Sequence, residues 1–440
     1  MDHQYVADFV NLLDADNNYI FDMSVEEAEE ALVSGDPDRV REIDGQFALV
    51  KKVDEQVFMA RSIGRPMRYF LAKREAGPML IVAERMDEIY DHLEKLDLHE
   101  QFHPSYTRMV PAHHVVRVDV IGCPDPNPTY TRFFDPKQNG LNDDLDEIGR
   151  TYIGALAEEC RNWIQSIPEK EPIGVLFSGG IDSGSVFLVL YHLMLEKGMS
   201  PQRLKAFTLS VNDGPDARQA HDFLDRLDLS LFLETVEVSE SDIDYKEAIK
   251  VIEDYKALDV EAASMTLALC KHLRERYPDW KYLADGDGGD ENLKDYPIED
   301  NPELTIRSVL NNPMLYHEGW GVDKIKHSLT YSGGQSRGHV RTYAPARKYG
   351  FKGFSPYSLP NVIEVSEAIP FIRLTDWDHN ELYALKGEIV KRGVKAVTGF
   401  DMPVYPKRRF QHGAVSEDKS SNLFADNEME YRTYFASLYA

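Results

Sequence analysis

Cysteine is scarce: three in 440 residues, at positions 123, 160 and 270. Their odd number and wide spacing exclude a disulfide framework or a zinc knuckle and fit a reducing cytoplasm. No apolar run is long enough to span a bilayer. The opening Met1-Asp2-His3-Gln4-Tyr5 lacks the charged-then-apolar pattern of a signal segment. Positive charge is also short, with 49 Lys and Arg against 75 Asp and Glu and a net charge of −26. That balance excludes an overall basic footprint for nucleic acid or an anionic membrane. Basic residues cluster locally at Lys407, Arg408 and Arg409, where they could serve an anionic substrate. Internal repeats and low-complexity segments are missing too. The 42% hydrophobic content is enough for the cores of two or three domains.

The most informative stretch is Gly174-Val175-Leu176-Phe177-Ser178-Gly179-Gly180-Ile181-Asp182-Ser183. It reads as a short apolar strand, a small-residue turn, and a helix from about Gly184 to Leu195. Glycines let the backbone approach a bound group closely. The turn's N–H groups and the helix N-terminus together make an anion site, to which Ser178 and Ser183 add hydroxyls. Asp182 suits an anion only with a cation between them, which makes it a Mg²⁺ ligand. The Gly-Lys-Ser/Thr ending of the Walker pattern is absent.

Beyond this stretch, strands and helices alternate: strand Leu204–Val211, helix Pro215–Leu227, strand Leu231–Val238, helix Ser264–Arg276, then Trp280 to Ala284. This order predicts a doubly wound parallel sheet with ligands beyond the carboxyl ends of its strands. The last strand runs into Asp285-Gly286-Asp287-Gly288-Gly289-Asp290-Glu291, a glycine-rich acidic turn without the later bidentate Glu of a calcium loop. Upstream, polar Gln138 to Asp146 reads as a linker, and the C-terminal third as mainly helical. Before the linker, a helix at Val25 to Val33 precedes short strands at Gly45–Val50, Gln56–Arg61, Met67–Leu71, Met79–Glu84 and Pro111–Val120, with a helix near Asp87 to Leu96. This predicts a smaller α+β domain, mostly antiparallel. The expected domains are 1–140 and 141–440.

Ser178-Gly179-Gly180-Ile181-Asp182-Ser183 resembles the pyrophosphate (PP) loop of ATP pyrophosphatases, and Gly286 to Glu291 resembles the acidic turn of asparagine synthetases. The resemblance to asparagine and β-lactam synthetases implies a HUP-like ATP site holding Phe177, Ser178, Gly179, Gly180, Asp182 and Ser183. It further implies Leu209, on the strand passing the adenine, with Gly286 and Asp287 along the nucleotide, and Mg²⁺ between Asp182 and Asp290. Tyr405-Pro406-Lys407 resembles the late Pro-Lys motif of these ligases, which implies that Lys407 meets the charge developing on the α-phosphate. Lys386 lies close to another phosphate-contacting cation of the family, whose usual lysine position falls at Leu382.

Asp44-Gly45-Gln46-Phe47-Ala48, Ala60 to Tyr69 and Val82-Ala83-Glu84 resemble the later half of the glutaminase domain of asparagine synthetases, an Ntn-type sheet. The family's nucleophilic cysteine directly after Met1 is Asp2 here, and a carboxylate cannot replace a thiolate in amide hydrolysis. The expectation is a shortened domain without glutaminase activity. The family's catalytic glutamate before the late proline falls at Lys352 or Gly353, neither of which can act as a carboxylate base.

The resemblance therefore implies an ATP- and Mg²⁺-dependent ligase that adenylates a small-molecule carboxylate and passes it to ammonia or an amine. The ammonia would be free or supplied by a partner, the chain could form a homodimer, and neither nucleic acid nor membrane is involved. Intramolecular cyclisation or modification of a peptide or nucleotide is the alternative, and an inactive nucleotide-binding scaffold the third.

Overall fold

A computed structural model describes residues 8–119, 128–211, 214–295, 305–311, 339–405, 423–425 and 427–439. Five parallel strands form the central sheet of the second part: β11 (Ile173–Leu176), β12 (Leu204–Val211), β13 (Leu233–Val238), β14 (Tyr282–Ala284) and β15 (Lys352–Phe354). Their order is β13-β12-β11-β14-β15. Alternation along β12 explains why both faces are covered. Leu204 and Ala206 enter one core with helices Leu145–Ser166, Ile181–Glu196 and His379–Thr398, while Phe207, Leu209 and Val211 enter another with Met265, Leu269 and Leu273 of helix Ala257–Arg276. The sheet is doubly wound, as expected.

The N-terminal part holds two four-stranded sheets. One is β1 (Asp8–Asn11), β7 (Met79–Ala83), β6 (Arg68–Ala72), β8 (Arg108–Met109); the other is β10 (Thr129–Arg132), β9 (His114–Asp119), β5 (Gln56–Arg61), β4 (Ala48–Val53). Val50, Met59, Tyr69, Leu80, Val82 and Val116 fill the space between them. β1, not anticipated, pairs with β7 in parallel, while the other strand pairs described in this part are antiparallel, as expected. The strand expected over Gly45–Val50 is broken. Gly45, at φ +121°, pairs with β2 (Tyr19–Ile20) as part of β3 (Gly45–Gln46), and the Phe47 N–H turns aside to Ser62 Oγ at 2.9 Å. The helix expected from Ser264 begins at Ala257. The Asp254 carboxylate fixes the turn before it by accepting the Tyr255 and Lys256 N–H groups at 2.6 and 2.9 Å.

The two parts share cores. Phe70, Ile81 and Ile89 pack with Ile249, Val260, Tyr431 and Phe435. Glu253 caps helix Met86–Lys95 across this boundary, accepting the Met86 and Asp87 N–H groups at 2.9 Å each. Among the described residues no helix is long and apolar enough to cross a membrane. Cys160 and Cys270 are buried, unbridged thiols.

A second boundary contact has a pH signature. Glu159, fully buried on helix Leu145–Ser166, shares Asn361 Nδ2 with Asp44, which accepts at 3.2 Å against 2.7 Å for Glu159. Burial, then the Asp44 charge, pushes the Glu159 carboxyl up to about 8. The folded protein therefore binds a proton that the unfolded chain releases near the ordinary glutamate value. Stability falls as pH rises from that value through about 8. Glu159→Gln removes the titration, so the variant should melt several degrees above wild type at pH 8.5, with the gap closing toward pH 5. Parallel melting curves across that range would contradict the assignment.

Candidate active site

The chain runs from β11 through β12 to β13 on one side of the sheet, then returns to place β14 and β15 on the other side. The switch point lies between β11 and β14, where an open α/β sheet leaves a crevice beyond its strand ends. Phe177 to Asp182 follows β11 there, and Asp285 to Asp290 follows β14.

The first loop is tied by its own serines. The Ser178 N–H donates to Ser183 Oγ at 3.2 Å, the two hydroxyls lie 3.2 Å apart, and the Gly180 N–H donates to Ser178 Oγ at 3.3 Å. Gly179 turns at φ +72°, and a Cβ there would fall 2.7 Å from the Ala220 nitrogen, so only glycine fits. Helix Ile181–Glu196 starts three residues earlier than expected, at Ile181, and no side chain caps its N-terminus. Its first N–H groups therefore face the crevice as donors for an anion. The Phe177 side chain points away, into a core with Phe187 and Phe223, and its N–H donates to the Phe207 carbonyl at 2.8 Å. Leu209 is likewise a core side chain. Neither offers more than backbone to a nucleotide.

The two loops meet at Lys386 on helix His379–Thr398. Its buried ammonium lies 2.7 Å from Asp182 Oδ2, in contact with Asp290 Oδ1, and 3.5 Å from Asp295 Oδ2. Burial alone would lower the lysine pKa; the Asp182, Asp290 and Asp295 charges outweigh it and hold the group well above its ordinary value. Leu382, at the family's usual lysine position, is a core residue one turn earlier. The loops also interlock: a Cβ on Gly289 would fall 2.2 Å from Asp182 Oδ1. Asp182, Gly286, Asp287, Gly288, Asp290, Glu291 and Arg341 line a cavity of about 70 Å³ here. Arg341 is fixed by Asp259 at 2.7 Å.

Beneath this cavity lies a carboxyl pair. Thr342 Oγ1 is 3.0 Å from Asp285 Oδ2 and 2.7 Å from Asp287 Oδ2, and Ser355 Oγ donates to Asp285 Oδ2 at 2.9 Å. A threonine hydroxyl has one proton to give. When it donates to one carboxyl, the contact with the other is a hydrogen bond only where that carboxyl carries a proton. Burial pushes Asp285 up to about 6, and burial with the Asp285 charge holds Asp287 well above its ordinary value. Asp287 also lines a second, one-water-sized cavity of about 10 Å³ with Gln46, His339 and Tyr343, so it stands between the two spaces.

The residues fit Mg²⁺. Asp182 Oδ2 and Asp290 Oδ1 present hard oxygens to one point, where the Lys386 ammonium sits. Among the described residues no group of three His, Cys, Asp or Glu side chains could hold a metal unaided. The remaining ligands would be phosphate oxygens and water, the usual Mg²⁺ arrangement with nucleotides.

Of the expected site residues, the structure brings together Ser178, Gly179, Gly180, Asp182, Ser183, Gly286, Asp287, Asp290 and Lys386. Lys407, with Arg408, Arg409 and His412, lies outside the described residues. Arg341, Thr342 and Asp295 were not foreseen. The last follows the acidic turn closely enough for its charge to have been a signal.

The fold and this crevice are those of an open, doubly wound α/β domain. The asparagine synthase family model matches residues 167–352. A solved structure, NMN synthetase from Francisella tularensis, is similar over 58% of this chain and 93% of its own, at 12% identity and a TM-score of 0.23. No curated protein matches the chain.

Proposed function

We propose that the chain is an AMP-forming amide ligase that adenylates a small-molecule carboxylate and transfers the acyl group to ammonia or a small amine, without glutaminase activity of its own. The observation that carries this reading is the convergence of Asp182, Asp290 and Lys386 at the sheet's switch point, beside an uncapped helix N-terminus. ATP enters as a substrate, its phosphates facing the Ser178–Ser183 N–H groups and hydroxyls. Mg²⁺ held by Asp182 and Asp290 would neutralise phosphate charge. A substrate carboxylate oxygen attacks the α-phosphorus, forming a C–O–P linkage as the α–β anhydride breaks and pyrophosphate leaves. Lys386, Arg341 and Lys407 supply cations for the charge that shifts, the largest lever for such a step.

In the second step the amine nitrogen attacks the acyl carbon, and AMP departs with the C–O electron pair. The extra proton on nitrogen goes to Asp287, the carboxyl with a raised pKa at the pocket wall. This supplies a base that Lys352 and Gly353 cannot. The nucleophile arrives free or from an ammonia-supplying partner. The Asp2 position, which motivates the absence of glutaminase activity, lies outside the described residues.

The test is pyrophosphate release from ATP and Mg²⁺ with a panel of small carboxylates, each with and without ammonium, together with glutamine hydrolysis. Release that depends on one carboxylate, and amide product that depends on ammonium, are expected, with no glutamate formed from glutamine. ATP binding without any carboxylate-dependent release would favour the scaffold reading, and ring closure of a single substrate without an added amine would favour cyclisation.

A further inference from the structure

Three carboxylates surround the single ammonium of Lys386, and the reading above, on which this inference rests, commits two of them to the metal. A buried ammonium that loses its counter-ions is costly. Asp295, largely buried and 3.5 Å from the ammonium, is the carboxylate left over. Its placement is built rather than incidental. The Asp295 N–H donates to the Asp290 carbonyl at 2.9 Å, which closes the turn after Gly289–Asn292. That turn passes through Lys294 at φ +58°, a left-handed conformation that glycine would hold at no steric cost. Lysine holds it here with its ammonium buried, 2.8 Å from Glu367 Oε1 and over the Phe371 ring at 5.2 Å. Glu367 in turn accepts Gln138 Nε2 at 3.1 Å. A strained backbone secured by a buried ion pair points to a position that has to be kept.

We propose that Asp295 is a positioning residue for Lys386: it keeps the ammonium when Asp182 and Asp290 turn to the metal, so that the lysine faces phosphate instead of competing for the metal's ligands. The Lys294–Glu367 pair locks the turn that delivers it. Asp295 touches neither nucleotide nor metal and acts through the lysine.

The measurement is calorimetric binding of an α,β-methylene ATP analogue, which cannot be cleaved, as a function of Mg²⁺ concentration. In Asp295→Asn the Mg²⁺ needed for half-maximal binding should rise about tenfold, the lower end of what losing an outer partner of a metal site costs. Asp295→Glu should recover most of it. In a Lys386→Met background Asp295→Asn should change the requirement by less than about twofold, because the two residues act as one unit. Glu367→Gln, remote from the metal, should shift the requirement in the same direction and provides the test should Asp295→Asn not fold. An unchanged requirement in Asp295→Asn overturns the proposal, as does an equal shift with and without Lys386, which would mean a direct effect on the metal. If wild type does not bind the analogue with Mg²⁺ at all, the ligase reading itself falls and takes this inference with it.

Discussion

Asp182→Ala should lower carboxylate-dependent pyrophosphate release by about 10²- to 10³-fold, the scale of removing one preorganised charged or polar group from a reacting centre. The loss follows from geometry. Asp182 sits in the first turn of helix Ile181–Glu196, beside the loop that would hold the phosphates, and faces Asp290 across one ammonium. Without it the metal keeps one protein carboxylate, and Lys386 keeps Asp290 and Asp295 as partners, so cation and metal contend for the same oxygen. Folding should survive, since Asp182 is part-exposed and its helix is held by buried Val186, Phe187 and Leu190. Asp182→Asn preserves the shape and should lose nearly as much, which separates charge from packing. Raising Mg²⁺ should recover part of the activity in either variant. Wild-type turnover by Asp182→Asn, with an unchanged Mg²⁺ requirement, would sink the assignment of this residue.

Both loops of the site were legible in the sequence because each is local: a short apolar strand, then small and acidic residues, then a helix. What brings them together was less legible. β14 lies beside β11 although helices and two strands intervene, and only the doubly wound order implied this. Lys386 was foreseen through resemblance, at an offset of one helical turn. The offset has a physical reason: Leu382 and Lys386 share a helix face, and the leucine is buried in the core while the longer lysine reaches past it to the carboxylates. Phe177 and Leu209, expected along the nucleotide, turn their side chains into two different cores. Arg341 and Thr342 gave no signal, because their role depends on tertiary packing against Asp259, Asp285 and Asp287. The family's glutamate position falls at Lys352 or Gly353, neither of which can act as a carboxylate base, and the base proposed instead is Asp287, a buried carboxyl raised well above its ordinary value. Its place along the nucleotide was expected, but its proton affinity was not, since burial and a shared threonine hydroxyl are invisible in sequence.

Asp287→Asn should separate the two half-reactions. Adenylation needs no proton transfer, so carboxylate-dependent exchange of pyrophosphate into ATP should stay within a few-fold of wild type. Amide formation should fall by about 10²- to 10⁴-fold, the range a positioned general base contributes. The nucleophile should be supplied at a constant concentration of its unprotonated form at every pH, so that its own titration does not shape the profile. A base must be ionised to accept a proton, and both Asp287 and Asp285 titrate above the ordinary carboxylate range, Asp285 at about 6. Wild-type amide formation should therefore rise with pH above the ordinary carboxylate range, while the exchange reaction stays flatter. In Asp287→Asn the rise should disappear, leaving a low and nearly pH-independent rate. Thr342→Val removes the hydroxyl between the two carboxyls and should shift the rising limb without abolishing it, because the carboxyls lose the group through which they share a proton. Equal losses of exchange and amide formation in Asp287→Asn would assign the residue to nucleotide binding instead, and the proton would have to leave by another route.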